Sequence, residues 1–258
     1  MPPSRSTVEV AYVAPRHLAG GGDPAWITVP LHRASGWSHG HDPLVPRVIL
    51  SSPDQKALLR LEPDPGSQWW TLHHAPERDR PAWYASFGAR TPVEIIAGFI
   101  DSLTDPASPA TTEADPYEPL RQGGWAPTSV PSGVVSPDGT AYVQRPGSEG
   151  SSAWFATATL SGSRPVWQAR FGVHTPTRLI AAFTAQLADP SPVPRTGSMR
   201  SLPTLNPNLV TRTWREVPAA QVAFALEDRI RALAARHAAL PASPSAPHRP
   251  PASPGRSR

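Results

Sequence analysis

Residues 81–106 read PAWYASFGARTPVEIIAGFIDSLTDP, and residues 165–190 read PVWQARFGVHTPTRLIAAFTAQLADP. The two stretches align without a gap at an offset of 84 residues. Trp83, Ala85, Phe87 and Gly88 return as Trp167, Ala169, Phe171 and Gly172, and Thr91, Pro92, Ile96, Phe99 and Leu103 return as Thr175, Pro176, Ile180, Phe183 and Leu187. In both copies the first part alternates, with an aromatic and alanine face against a variable one, as a half-buried antiparallel strand does. The second part changes period: Ile96, Phe99, Ile100 and Leu103 fall at i, i+3, i+4 and i+7, the stripe of an amphipathic helix. Thr91-Pro92 opens that helix, with Glu94 placed to complete a capping box, and Asp105-Pro106 stops it. Arg178 replaces the glutamate in the second copy. A register held through a strand, a turn and a helix means two copies of one folding unit.

Working outward, Ser52, Pro53 and Asp54 recur as Ser136, Pro137 and Asp138 at the same offset, and Trp70 recurs as Trp154. Proline presets φ near −65° at the second turn position and aspartate bonds local backbone, so this triplet predicts a hairpin turn. Each unit therefore reads as about four antiparallel strands followed by one helix that covers the aromatic face, in an α+β fold. Residues 7–13 and 26–31 read as two further short strands around Gly20, Gly21 and Gly22. Pro30, Leu31, Gly36 and Trp37 have a looser echo in Pro119, Leu120, Gly124 and Trp125. The expected organisation is residues 1–106 for the N-terminal strands and first repeat, and 107–190 for a linker and the second. A linker over 191–216, a helix over 217–240 and a disordered Pro- and Arg-rich tail over 241–258 complete it.

The Ser-Pro-Asp turn, the Trp-x-Ala-x-Phe strand with its glycine, the Thr-Pro helix start and the Asp-Pro stop together resemble the SPDY domain. The resemblance covers roughly residues 10–190 and takes in Pro15, Arg16, His17, Leu18 and Ala19. It implies an actinobacterial domain, often duplicated within a chain, with no established activity. The fourth motif position departs from the family's tyrosine, being Gln55 in one copy and Gly139 in the other.

Charge location matters more than the total of +4. Six arginines and no acid lie in residues 229–258, so the remainder of the chain is mildly acidic. Residues 36–190 hold 11 basic against 15 acidic side chains, which disfavours a phosphate-binding surface spread across the repeats. The absence of cysteine excludes disulfides and thiolate chemistry. No stretch has the length and apolarity of a membrane span, and residues 1–10 lack a signal-peptide pattern, so the expected location is cytoplasmic.

Asp54 and Asp138 are matched carboxylates, and they read as turn residues before they read as an acid/base pair. His39, His41, Asp42, His73 and His74 have no counterpart set in the second repeat and read as surface residues, so neither a catalytic residue nor a metal or cofactor site is expected. Binding positions are expected where the copies differ: Trp69 against Ala153, Tyr84 against Gln168, and Arg170 against Ser86. Arg229, Arg231 and Arg236 on the C-terminal helix are the candidates for nucleic acid, helped by the basic tail. The reading is a non-catalytic interaction or scaffold module with a protein partner. The alternatives are nucleic-acid association and an enzyme with a site between the repeats. The C-terminal helix offers a route to a homo-oligomer.

Overall fold

The computed structural model describes residues 6–40, 47–63, 68–107, 113–129, 133–147, 152–160, 165–196 and 201–239. Strand β1 (Thr7–Ala14) leads through a single 3-10 turn (Arg16–Leu18) to helix α1 (Ala25–Arg33). The first repeat continues as β2 (Ser38–Gly40), β3 (Val48–Ser51), β4 (Ala57–Leu61), β5 (Gln68–His74), β6 (Trp83–Gly88) and α2 (Val93–Thr104). The second repeats the order as α3 (Glu118–Gln122), β7 (Ala126–Thr128), β8 (Gly133–Val135), β9 (Ala141–Gln144), β10 (Trp154–Thr159), β11 (Pro165–Phe171) and α4 (Thr177–Ala188). Strands β12 (Val193–Arg195) and β13 (Thr211–Pro218) and helix α5 (Ala219–Ala238) follow.

The repeats are halves of one sheet. Ten antiparallel strands run in the order β2-β3-β4-β5-β6-β11-β10-β9-β8-β7, with the two Trp-x-Ala-x-Phe strands, β6 and β11, joined at the centre. Ala85 faces Phe171, Ser86 faces Arg170 and Phe87 faces Ala169. Because Ser86 and Arg170 are themselves counterparts, a pseudo-twofold axis passes through that pair. Helices α2 and α4 cross on the same axis, where a Cβ on Gly98 would meet the carbonyl oxygen of its counterpart Ala182 at 2.9 Å. Beneath them Phe87, Phe99, Phe171 and Phe183 form one buried aromatic cluster. Phe87 stacks on Phe183 at 5.7 Å and Phe171 on Phe99 at 5.5 Å, so each repeat's strand packs on the other repeat's helix.

Several expectations need correction. Residues 26–31 form helix α1, not a strand: Ile27, Pro30 and Leu31 are the buried stripe at i, i+3 and i+4, and Asp23 accepts from the Ala25 amide at the helix start. Each repeat has five strands, not four. The missed ones, β2 and β7, follow helices that end alike: Gly36 and Gly124 take left-handed φ of 69° and 79°, and the amides of Trp37 and Trp125 return to the carbonyls of Leu31 and Leu120. No capping box forms at Thr91, because Glu94 instead takes a two-pronged ion pair from Arg195 at 2.6 and 2.9 Å. That arginine belongs to β12, so residues 191–216 are not only linker. They supply β12 and β13, which flank β1 in a separate three-stranded sheet. The expected tail over 241–258 lies outside the described residues.

The duplicated turn explains its own sequence. In each copy the serine hydroxyl donates to the aspartate, at 2.6 Å in the first and 2.5 Å in the second, and the aspartate accepts the amide two residues on. The serine oxygen in turn accepts the amide of Ala57 or Ala141 at 2.9 Å. The fourth position is left-handed in both, with φ of 61° at Gln55 and 72° at Gly139. Backbone geometry governs that position, and glycine meets it without steric cost.

Candidate functional site

Two places on the sheet distinguish the repeats. The first is the solvent face at the pseudo-twofold axis, opposite the phenylalanine cluster. Tyr84 and Arg170 alternate with inward residues on β6 and β11 and so emerge there together. The Arg170 guanidinium lies over the Tyr84 ring at 5.5 Å and over Phe155 at 5.7 Å. The contact occurs once, since Ser86 stands where a second arginine would complete the symmetry. The Tyr84 carbonyl also accepts the amide of Gly172 and the hydroxyl of Thr175, both at 2.9 Å, whereas the counterpart Thr91 buries its hydroxyl without a partner among the described residues.

The second place is the end of the sheet beside each Ser-Pro-Asp turn. In the first repeat a depression of about 430 Å³ is lined by Lys56, His73, His74, Trp83 and Tyr84, among others. His74 lies flat on the Trp83 indole, with centroids 5.1 Å apart and planes 9° apart, and Lys56 Nζ reaches Glu77 at 2.7 Å. Asp54 stays below the usual carboxylate range, first through the Ser52 hydroxyl and then through the Lys56 amide and the charges of Lys56 and His74. The Trp83 indole N–H has no hydrogen-bond partner among the described residues.

In the second repeat the same constellation is occupied by the chain itself. Residues 16–19 are buried against it. His17 Nε2 lies 2.7 Å from Thr140 Oγ1 and 3.3 Å from Asp138 Oδ2, and the Trp167 indole donates to the His17 carbonyl at 2.8 Å. Arg16 holds Gln186 and Asp189 at the end of α4. Burial raises the Asp138 carboxyl, but hydrogen bonds from His17, Ser136 and the Thr140 amide outweigh it and hold the group far below its ordinary value. Ala158 stands opposite Trp167 where the first repeat has His74 opposite Trp83, so the Trp167 indole carries no stacked imidazole.

Among the expected binding residues, Tyr84 and Arg170 are brought together and Tyr84 also lines the depression. Trp69 is half-buried and packs against the core. The helix arginines point elsewhere. Arg229 pairs with Asp101 of α2 at 2.8 and 3.1 Å, donates to the Trp26 carbonyl and covers the Trp26 ring, and so fastens α5 to α1 and α2. Arg231 pairs with Asp228 on its own helix, and Arg236 lies 3.7 Å from Asp101. Ile230 and Leu233 are buried under this helix. His39 meets His32 edge-on at 5.6 Å, while His41 and Asp42 lie outside the described residues. No group of three His, Asp or Glu among the described residues could hold a metal ion. No described helix is long and apolar enough to cross a membrane.

A family model described as SPDY, domain of unknown function (DUF317), matches residues 51–109 and again residues 135–193. The chain carries two SPDY domains. No curated protein and no solved structure matches it significantly. The matched segments hold β11 and α4 of one SPDY domain and their equivalents in the other, so the central join of the sheet is a contact between the two domains. They leave out residues 16–19, the segment that separates an occupied domain from an open one. In the sequence that segment stands out only through its family resemblance, and nothing in it indicates which domain it serves.

Proposed function

We infer that the tandem SPDY domains form a non-catalytic protein-interaction module, and that its recognition surface is the first domain's depression with the adjoining Tyr84–Arg170 face. One observation carries this reading. The second domain's Asp138, Thr140 and Trp167 hold a polypeptide segment, residues 16–19, while the counterparts Asp54, Lys56 and Trp83 hold none among the described residues. A constellation that grips backbone and side chain in one copy suits a polypeptide in the other. An indole N–H offers a donor to a carbonyl, and the His74–Trp83 stack offers a flat apolar surface. The matched carboxylates are engaged in turn hydrogen bonds, which fits a structural part for them. The nucleic-acid alternative draws less support, because Arg229 and Arg231 are committed to ion pairs within the chain.

The reading is checked by placing a photoactivatable residue at Leu58, beside the open depression, or at its counterpart Tyr142 in the full-length chain in cells. Protein adducts at position 58 and few at 142 are expected. Equal labelling at both, or adducts with nucleic acid alone, would overturn it.

A further inference from the structure

Sheet edges expose unpaired amides and carbonyls and therefore invite another strand, so proteins keep them short. Three of the four edges among the described residues follow this rule: β2, β7 and β12 each have three residues. The fourth, β13, has eight, and six of them are exposed. It pairs with β1 along its whole length on one side, from Thr7 opposite Pro218 to Ala14 opposite Thr211. Its other side carries no strand among the described residues. Trp214, at the middle, keeps 47% of its surface in water.

We propose that β13 pairs with β13 of a second copy of this chain, antiparallel and centred on Trp214, joining the two three-stranded sheets into one of six strands. The sequence TRTWREVP is self-complementary in that register. A twofold axis at Trp214 sets Arg212 opposite Glu216 of the second copy and Glu216 opposite its Arg212, with the two tryptophans side by side. Opposite charges and paired aromatics directly across a ladder are the stabilising cross-strand pairs, and a twofold contact makes each of them twice. Neighbouring registers lose this. A shift of one residue sets Arg212 against Arg215 in one direction and against Val217 in the other, and centring on Arg215, two residues away, opposes two arginines. Arg212 and Glu216 are available for the pairing: Arg212 makes one long hydrogen bond, 3.4 Å to the Leu205 carbonyl, and Glu216 forms no ion pair among the described residues. Arg215 is held over the Tyr12 ring at 5.0 Å and is not needed. This contact lies on a different element from helix α5, whose inner stripe is already docked on its own chain.

Sedimentation velocity on the full chain tests the proposal. The wild type should sediment at twice the 27.6 kDa chain mass. Arg212→Glu and Glu216→Arg, each alone, place like charges opposite one another twice and should raise the dimer dissociation constant about tenfold or more. The double variant in one chain restores opposite charges and should return the dimer, as should an equal mixture of the two single variants. Matched far-UV circular dichroism and melting keep loss of folding apart from loss of pairing. A wild type that is monomeric, a dimer indifferent to both reversals, or single variants that neither the double change nor the mixture rescues would each overturn the proposal.

Discussion

The first and second SPDY domains share a core and differ at their rims. In the core beneath the pseudo-twofold axis their residues are interchangeable: Phe87 stacks on Phe183 as Phe171 stacks on Phe99. At the Ser-Pro-Asp end they are not. The second domain surrounds His17 with Asp138, Thr140 and Trp167, and the first leaves Lys56 and Trp83 on an open depression. A duplicated unit needs identical packing where its copies meet, because each copy's strand is the floor for the other's helix. It is free to diverge where only one copy receives a third segment. The difference teaches that the domain's turn-proximal end can hold a segment of its own chain, as the second copy does with residues 16–19.

The comparison breaks first if the domains are separable. Phe171→Ala empties the centre of the shared cluster and should cost about 3–5 kcal/mol. Urea unfolding followed by tryptophan fluorescence should show one transition, moved as a whole; two transitions would mean that the domains fold independently.

A smaller effect sharpens the contrast between the ends. His17→Ala removes a buried ring and leaves Thr140 and Asp138 facing a void, at a cost of about 2–3 kcal/mol. His74→Ala removes only a stack at the edge of the depression, at a cost of about 1 kcal/mol or less. Similar losses of stability in the two variants would erase the distinction.

The smallest effect is one of pH. The Asp138 carboxyl is held below its unfolded value of 3.8, so the unfolded chain takes up that proton first as the medium is acidified. The stabilisation is complete above about pH 4 and fades below it. Asp54 is also lowered, through the Ser52 hydroxyl and the Lys56 amide but without a histidine hydrogen bond, so its contribution is smaller and also fades as the pH falls below its unfolded value. Asp138→Asn should flatten the acid limb of a stability–pH curve more than Asp54→Asn. The reverse order would place the tighter carboxylate in the wrong domain.

Patterns set by local period and turn chemistry were legible from the chain alone. The alternation through Trp83, Ala85 and Phe87, the helical stripe through Ile96, Phe99 and Leu103, and the Ser-Pro-Asp turn all act within a few residues, and duplication at offset 84 doubled each signal. Tyr84 and Arg170 were legible as a difference between copies, but their stacking was not, because it depends on β6 and β11 meeting across the axis. Helix α1 was misread because Trp26, Ile27, Thr28 and Val29 favour strands locally, and burial of Ile27 and Leu31 under tertiary packing overrides that preference. Glu94 was assigned to its own helix start, although an arginine 101 residues later reaches it first. Strand β13 was hidden for a similar reason: its pairing partner is β1, some 200 residues away, and its exposure on both faces leaves no alternation of buried and polar residues to read.

The account rests on residues 16–19 occupying the second domain and not the first, and the absence of native cysteine allows a direct test. His17→Cys is combined with Thr140→Cys in one chain and with Lys56→Cys in another, and a short bifunctional thiol reagent is applied to each. Rapid linkage of 17 to 140 within one chain, with none of 17 to 56, is the predicted result. Linkage of 17 to 56 at a comparable rate would contradict it.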